Sequence, residues 1–499
     1  MRDLARIICT YQIFFVPLPA ISNNLVMNAI CRDAEIRFLE SKLQSDQAEF
    51  IAVYGRRRIG KTYLIRELLS DRFSFAMSGV LNGDKSEQFQ AFADALDDYG
   101  FKGEKPKNWM GAFRCLQLLL QKKLKGNKPV VVFIDEIPCL DTRNARFIPA
   151  LDHFWNGWAA HQKQIKLIVC GSATSWIIGN LIDSHGGLHN RLTAELHLRQ
   201  FTLLDVEKYL HKRRFMWQRL EIVQTYMVFG GVPYYLSLLD PSQSLAQNID
   251  RLLFAEDAPL RREYDRVFKS LFASPETYMR IVQILAENKS GLTRNEIAEK
   301  LNLNTGGGLS NMLAALENCD FIRCYSIREK KISSRLGIYQ LTDFFTLFHY
   351  QFLTTHRSDE HFWVNLLDKP KQNTWFGFAF ERVVMAHVPQ IKQALGIAGM
   401  HTEYYSWRSK TSEPKAQVDL LIERADKVIN LCEIKYSDAQ YVITKDEDMR
   451  YRNRIAAFKQ ETGTRCAIHS TFITTYGLTP NGYANSISHQ ITMDDLFQS

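Results

Sequence analysis

The chain lacks any C-x-x-C pair. Its nine cysteines (Cys9, Cys31, Cys115, Cys139, Cys170, Cys319, Cys324, Cys432 and Cys466) are odd in number and scattered. That argues against a zinc ribbon and against a disulfide scaffold. Several lie in apolar runs such as Leu167-Ile168-Val169-Cys170, where a cysteine acts as a small buried hydrophobe. A reducing cytoplasm suits this usage, and a cytoplasmic location is expected. A large excess of one charge sign is also lacking. A formal net charge of +8 over 499 residues permits a nucleic-acid partner without demanding one. Internal repeats and low-complexity tracts are missing too, so no repeat architecture is in play.

An uninterrupted membrane-length apolar run is lacking as well. Ile7 to Ile21 is largely apolar, follows Arg2 and Arg6, and ends in Ala20-Ile21-Ser22, faintly like a signal peptide. It is too short and too broken by Pro17 and Pro19 for a comfortable span. The favoured reading of residues 1–26 is an uncertain extension with translation starting at Met27. A true targeting or membrane segment is the alternative, and a membrane partner is not expected.

What is present is ordinary globular composition, 46% apolar and 23% charged, in a chain long enough for roughly three or four domains. Its strongest signal is Gly55-Arg56-Arg57-Arg58-Ile59-Gly60-Lys61-Thr62, which meets G-x-x-x-x-G-K-[ST] at every fixed position. Apolar Phe50-Ile51-Ala52-Val53 precedes it and Leu64-Ile65-Arg66-Glu67-Leu68-Leu69 follows, the strand–loop–helix context the motif needs. Backbone N–H groups of such a loop wrap a polyphosphate, and the helix N-terminus adds its positive dipole end. Lys61 is placed to neutralise β/γ-phosphate charge and Thr62 to bind Mg²⁺, so ATP and Mg²⁺ are the expected ligands.

Downstream, Pro129-Val130-Val131-Val132-Phe133-Ile134 is a continuous apolar run that ends in Asp135-Glu136, as a buried parallel strand should. Asp135 would hold Mg²⁺ through water and Glu136 would polarise an attacking water. A third run, Ile165 to Cys170, leads into Gly171-Ser172-Ala173-Thr174-Ser175. Ser172, with Thr174 second, is the candidate reporter of the γ-phosphate; the alternative for either is a helix N-cap before Trp176. Arg191 follows the Gly186-Gly187 segment. It could stabilise γ-phosphate charge in cis or across a subunit interface of a homo-oligomer, or be a plain surface arginine.

Residues 206–270 read as helices rich in aromatics and leucine. Thr277–Ala286, Leu292–Leu301 and a third helix with Leu309, Met312, Leu313 and Leu316 follow, then strand-like Phe321–Tyr325 and Ile338–Leu341. This is a winged helix-turn-helix pattern. Its third helix offers Ser310, Asn311 and Glu317 but no cation, while the wing carries Arg328, Lys330, Lys331 and Arg335. Contact with DNA and a purely packing role both remain open.

The tail holds a second constellation. Trp375–Val384 reads as an amphipathic helix that carries Glu381, and Gln417–Ile422 and Val428–Lys435 read as consecutive strands. Period two puts Glu433 and Lys435 on one face, and hairpin pairing can bring Asp419 beside them. Asp419 and Glu433 could then grip Mg²⁺. Lys435 could orient or deprotonate a water, and Glu381 could add a ligand or orient that water. Arg450-Tyr451-Arg452-Asn453-Arg454 could touch a phosphate backbone or be a solvated helical face.

The succession Gly-Arg-Arg-Arg-Ile-Gly-Lys-Thr, Phe-Ile-Asp-Glu-Ile-Pro, Cys-Gly-Ser-Ala-Thr-Ser-Trp and Gly230-Gly231-Val232-Pro233 resembles the archaeal-type ATPase family. These are prokaryotic AAA+/STAND-related P-loop proteins with a C-terminal nuclease-like domain. Arg32 and Glu35 resemble that family's entry motif before the first strand. The segment at Pro233 resembles the lid element that closes over the nucleotide base. The pattern Glu381…Asp419…Glu433-x-Lys435 resembles the PD-(D/E)xK nucleases, although Val418 rather than proline precedes Asp419.

The resemblance implies an α/β chain with an ATPase core over 27–205, a helical lid over 206–270 and a winged helix over 271–360. A restriction-endonuclease-like domain would occupy 361–499. It further implies ATP hydrolysis coupled to metal-dependent cleavage of DNA, the expected partner. The alternative is a non-cleaving, nucleotide-dependent switch or scaffold that binds nucleic acid or protein.

Overall fold

The computed structural model describes residues 31–499, apart from 127, 184–187, 189, 273, 305, 327–336, 357–358 and 410–415. The N-terminal extension, the Gly186-Gly187 segment and the basic wing residues Arg328, Lys330, Lys331 and Arg335 therefore lie outside the described residues.

Continuous apolar strands need cover on both faces, and the first half of the chain supplies it. Helix α1 (Asp33–Leu43), strand β1 (Glu49–Tyr54), helix α2 (Lys61–Leu69) and strand β2 (Phe73–Ser78) come first. They are followed by α3 (Lys85–Asp98), α4 (Trp109–Lys123), β3 (Val130–Asp135), α5 (Phe147–Gly157), β4 (Ile165–Gly171), the short α6 (Thr174–Ile177) and β5 (Ala194–His197). The strands form one parallel sheet in the order β2-β3-β4-β1-β5.

Period-two alternation splits each strand between two cores. Ile51, Val53, Val131, Phe133, Ile168 and Cys170 pack with Leu39 of α1 and with Leu64, Ile65 and Leu69 of α2. Their neighbours Phe50, Ala52, Val130, Val132, Leu167 and Val169 pack with Phe92, Trp109, Phe113, Leu151 and Phe154 of α3, α4 and α5. Because β4 pairs with both β1 and β3, the C-terminal ends of all three strands open on one edge. That edge is where such sheets bind ligands.

The middle of the chain is helical: α7 (Leu203–Lys212), α8 (Arg219–Phe229), α9 (Pro233–Ser237), α10 (Leu245–Ile249) and α11 (Glu263–Leu271). Next come α12 (Pro275–Glu287), β6 (Leu292–Thr293), α13 (Arg294–Leu301), α14 (Gly307–Asn318), β7 (Ile322–Ser326) and β8 (Gly337–Leu341), with sheet order β6-β8-β7. Thr293 caps α13 in a reciprocal box with Glu296. Helix α15 (Phe344–Phe348), capped by Asp343 through the Thr346 N–H, runs directly into a π-helical turn, His349–Leu353.

The last part comprises α16 (Pro370–Ala386), α17 (Val388–Ala394), β9 (Thr402–Arg408), β10 (Gln417–Arg424), β11 (Val428–Lys435), α18 (Lys445–Thr462), β12 (Ala467–Thr474) and β13 (His489–Thr492). Its sheet order is β13-β12-β11-β10-β9: the first three strands of the chain order are antiparallel, the last two join in parallel. One face packs on α16 through Leu420, Ile422, Cys432 and Ile434. The other packs on α18 through Leu421, Leu431, Tyr451 and Phe458. The register with β9 shifts between Val418 and Leu421, so strict alternation breaks at Asp419. A single buried apolar cluster runs from Phe201 to Phe497 and joins the helical middle to α16. Among the described residues, no helix is long and apolar enough to cross a membrane.

Candidate functional site

The phosphate loop leaves β1 at Gly55. There φ is +145° and an added Cβ would stand 2.3 Å from the Leu198 carbonyl oxygen, so only glycine fits. Gly60 closes the loop at φ +90° as the N-cap of α2. Lys61 is 6% exposed, and burial pushes its ammonium down. It donates to the carbonyl oxygens of Gly55 at 2.8 Å and Arg56 at 2.9 Å, bonds that a buried ammonium requires. The Thr62 hydroxyl donates to Asp135 at 2.8 Å. Burial raises the Asp135 carboxyl, with the Thr62 bond acting against it. Two groups that a nucleotide-bound Mg²⁺ would use thus already touch.

Glu136 sits in the left-handed region at φ 45°, a conformation that costs energy outside glycine and gathers at functional sites. Its carboxylate accepts from the Ser172 hydroxyl at 3.0 Å and from the Ser172 N–H at 3.1 Å. With Ser172 so engaged, neither Ser172 nor Thr174 caps α6; Ala173 holds that position without a side-chain bond. The Thr174 hydroxyl is buried, with the Cys319 thiol beside it.

The three loop arginines part company. Arg56, buried at 1% exposure, forms an ion pair with Asp343, itself 1% exposed. Burial alone would lower its guanidinium, and the Asp343 charge more than offsets that. Arg58 donates to both carboxylate oxygens of buried Glu263, at 2.8 and 3.2 Å, and lies 4.0 Å from the centroid of the Tyr234 ring. Arg57 is half-buried and enters no ion pair with a described residue. Ile59 is buried against α2.

Pro233 opens α9 at its first turn, and the next residue, Tyr234, approaches Arg58. Arg32 bonds Glu35 at 3.0 Å and the Arg199 carbonyl at 2.6 Å, which ties α1 to the segment after β5. Arg191 is exposed and its side chain makes no hydrogen bond to the loop among the described residues. The sequence therefore located loop, strand-end acids and Ser172. It missed Asp343 and Glu263, which lie 287 and 205 residues beyond their partners and carry no local motif.

In the second sheet, Glu433 pairs with Lys435 at 3.0 Å and also with Arg454 of α18. Arg454 is thus already paired, while Arg452, which is exposed, pairs with Asp448 at 2.8 Å. Asp419 accepts from the Gln417 amide at 2.7 Å. Glu381 on α16 is pushed up to about 7, first by burial and then by the Asp419 charge, with Arg382 and Lys435 opposing. Asp419 and Glu433, the expected Mg²⁺ ligands, each engage a neighbouring side chain. Two cations already neutralise Glu433, and no group of three or more His, Cys, Asp or Glu suited to a metal occurs among the described residues.

Residues 30–239 match the family described as an ATPase domain predominantly from Archaea. An uncharacterized protein of Methanocaldococcus jannaschii is 25% identical over 425 residues, 84% of this chain and 89% of that protein. An uncharacterized ATP-binding protein of the same organism is 46% identical over 41 residues, 8% of this chain and 70% of that protein. Among solved structures, the Walker-type ATPase of Pyrococcus abyssi is similar at 18% identity and a TM-score of 0.45, over 64% of this chain and 95% of that one. Residues 30–239 of the chain thus carry an ATPase domain of the archaeal type.

Proposed function

We propose that this protein binds and hydrolyses ATP in its first half, and that nucleotide state governs a nuclease-like tail that engages DNA. The observation that carries the first part is the set Lys61, Thr62–Asp135 and Glu136–Ser172 at one sheet edge. Lys61 would leave the loop carbonyls for the β- and γ-phosphates, and Arg57, without an ion pair, is the loop arginine free to follow. Thr62 and Asp135 would hold Mg²⁺, which offsets phosphate charge. Glu136 would orient the attacking water, with Ser172 releasing it as the γ-phosphate enters the space between them.

Helices α7–α11 serve as the lid over the loop, since Tyr234 and Glu263 both contact Arg58. Helices α12–α14 with β6–β8 make a winged helix. For the tail, the order helix, three antiparallel strands, helix and parallel strand supports a restriction-endonuclease-like reading. The raised Glu381 beside Asp419 marks its working end. A second reading is favoured by the Lys435–Glu433–Arg454 arrangement: a tail whose acids are tied down binds nucleic acid without cutting it.

Plasmid and single-stranded DNA incubated with Mg²⁺ or EDTA, with and without ATP, test both halves. ATP turnover is expected to vanish in Lys61→Ala, and a variant that still turns over ATP would refute the ATPase assignment to this loop. Cleavage that disappears in Glu433→Ala/Lys435→Ala supports the nuclease reading. Intact DNA throughout, with normal ATP turnover, selects the non-cleaving switch.

A further inference from the structure

Four cations converge where the second sheet meets the three-stranded one. Arg323 lies on β7, Arg382 on α16, Arg408 on β9 and Lys289 just after α12. The guanidinium of buried Arg382 and the ammonium of Lys289 flank one ring, 4.9 and 4.5 Å from the Phe378 centroid. Arg323 is 5.7 Å from the Tyr325 ring. The Tyr325 hydroxyl, bonded to the Ser290 carbonyl at 3.0 Å, lies within the fields of Arg408, Arg323, Arg382 and Asp419 at once.

Among the described residues, what these cations hydrogen-bond to is neutral. Arg382 donates to the Lys289 carbonyl, Arg408 to the Ser290 carbonyl, and Arg323 to the Gln340 amide oxygen at 3.1 and 2.5 Å. The nearby ion pairs, Lys435 and Arg454 with Glu433, leave all four out. The Nε of Arg382 is buried with no acceptor among the described residues. Of the adjoining acids, Asp419 is engaged by Gln417, and the charges of Glu381 and Asp419 act on Arg382 without a hydrogen bond to it among the described residues.

Like charges gathered out of water are costly unless an opposite charge joins them. Arg323 is driven down to about 10, by burial and then by the charge of Arg382. Lys289 is also lowered by burial. Such an excess belongs to a site that receives an anion, and guanidinium forks match phosphate oxygens. Tyr404, 52% exposed on β9 and within the field of Arg323, offers an aromatic face beside it. A free phosphate would have no use for that face, whereas the base of a nucleotide stacks on one.

We infer that Arg323, Arg382 and Arg408, with Lys289 at the rim, form a phosphate-binding site that seats a backbone phosphate of a nucleic-acid strand beside Asp419 and Glu381. The inference rests on the reading that the tail engages nucleic acid, and not on cleavage. It makes the tail's site composite, because β7 supplies Arg323 from the three-stranded sheet.

The test is fluorescence anisotropy of a labelled single-stranded oligonucleotide with the full chain in EDTA, next to thermal melts without ligand. Arg382→Gln and Arg323→Gln are each expected to weaken binding roughly tenfold and to flatten its salt dependence by about one ion per lost contact. Their melting points should not fall, since removing an unmatched buried charge relieves repulsion. Affinity within about twofold of the parent, or a lowered melting point with unchanged affinity, overturns the site and leaves the arginines as clamps. Should the glutamine variants not fold, Arg382→Lys keeps the charge without the fork, and full affinity there overturns it equally. Inorganic phosphate that stabilises the parent while the oligonucleotide fails to bind assigns the site to a small free anion and overturns the strand. Because EDTA blocks metal-dependent cutting, a failure of the cleavage assay leaves this result untouched.

Discussion

Glu381 is a residue whose chemistry depends on its surroundings. Its carboxyl is raised from 4.5 to about 7 by burial and by Asp419. A folded-state pKa above the unfolded value means that the unfolded chain gives up the proton first. Stability contributed by the neutral acid is therefore present below about pH 4.5 and lost as pH rises through about 7. Glu381→Gln should consequently raise stability at pH 8 by of order 2 kcal/mol and change little at pH 5. Denaturant titrations at the two pH values check this, and an equal effect at both would mean that Glu381 is not held neutral. Glu381 was legible as an acid among aromatics. Its neighbours Arg382 and Arg323 were not, because nothing local distinguishes an arginine that turns toward a distant strand from one in solvent.

At the scale of elements, the phosphate loop is held from outside. Asp343 both caps α15 and neutralises Arg56. Asp343→Asn keeps the cap acceptor but strands a buried guanidinium, and should cost about 3–5 kcal/mol. The double variant Arg56→Met/Asp343→Leu, which removes both charges, should recover most of that. Equilibrium denaturation followed by tryptophan fluorescence measures both, and a single variant as stable as the parent would show the pair to be idle. Strand–loop–helix and strand-end acids could be read from sequence because their spacing is short and fixed. The strand order could not, since nothing local announces that β4 inserts between β1 and β3. The shift at Asp419 was equally hidden, because the apolar Leu420-Leu421-Ile422 that follows reads as a strand buried on both faces as readily as one with a register shift.

At the scale of the molecule, the boundary expected at residues 360 and 361 does not coincide with a break in packing. Trp375 of α16 meets Phe348 and Phe352 of the helical middle, and Phe376 meets Trp363. Gln224 of α8 reaches the Tyr436 hydroxyl at 2.8 Å. A fragment comprising 361–499 alone would expose that apolar face. It is expected to bind a hydrophobic dye and to melt without a cooperative transition; a sharp transition equal to one seen in the full chain would contradict this.

The long reach of the Arg56–Asp343 pair also bears on how the chain is made. Synthesis proceeds from the N-terminus, and nearby segments fold as they emerge. The first sheet needs β5, which ends at His197, while the acid that matches Arg56 follows 287 residues after the arginine itself. A nascent chain can thus complete the sheet while its phosphate loop still holds an unmatched buried charge. The loop reaches its final form only when the ribosome has delivered more than two-thirds of the protein, and a chain stopped short of Asp343 has a finished sheet around an unfinished nucleotide site.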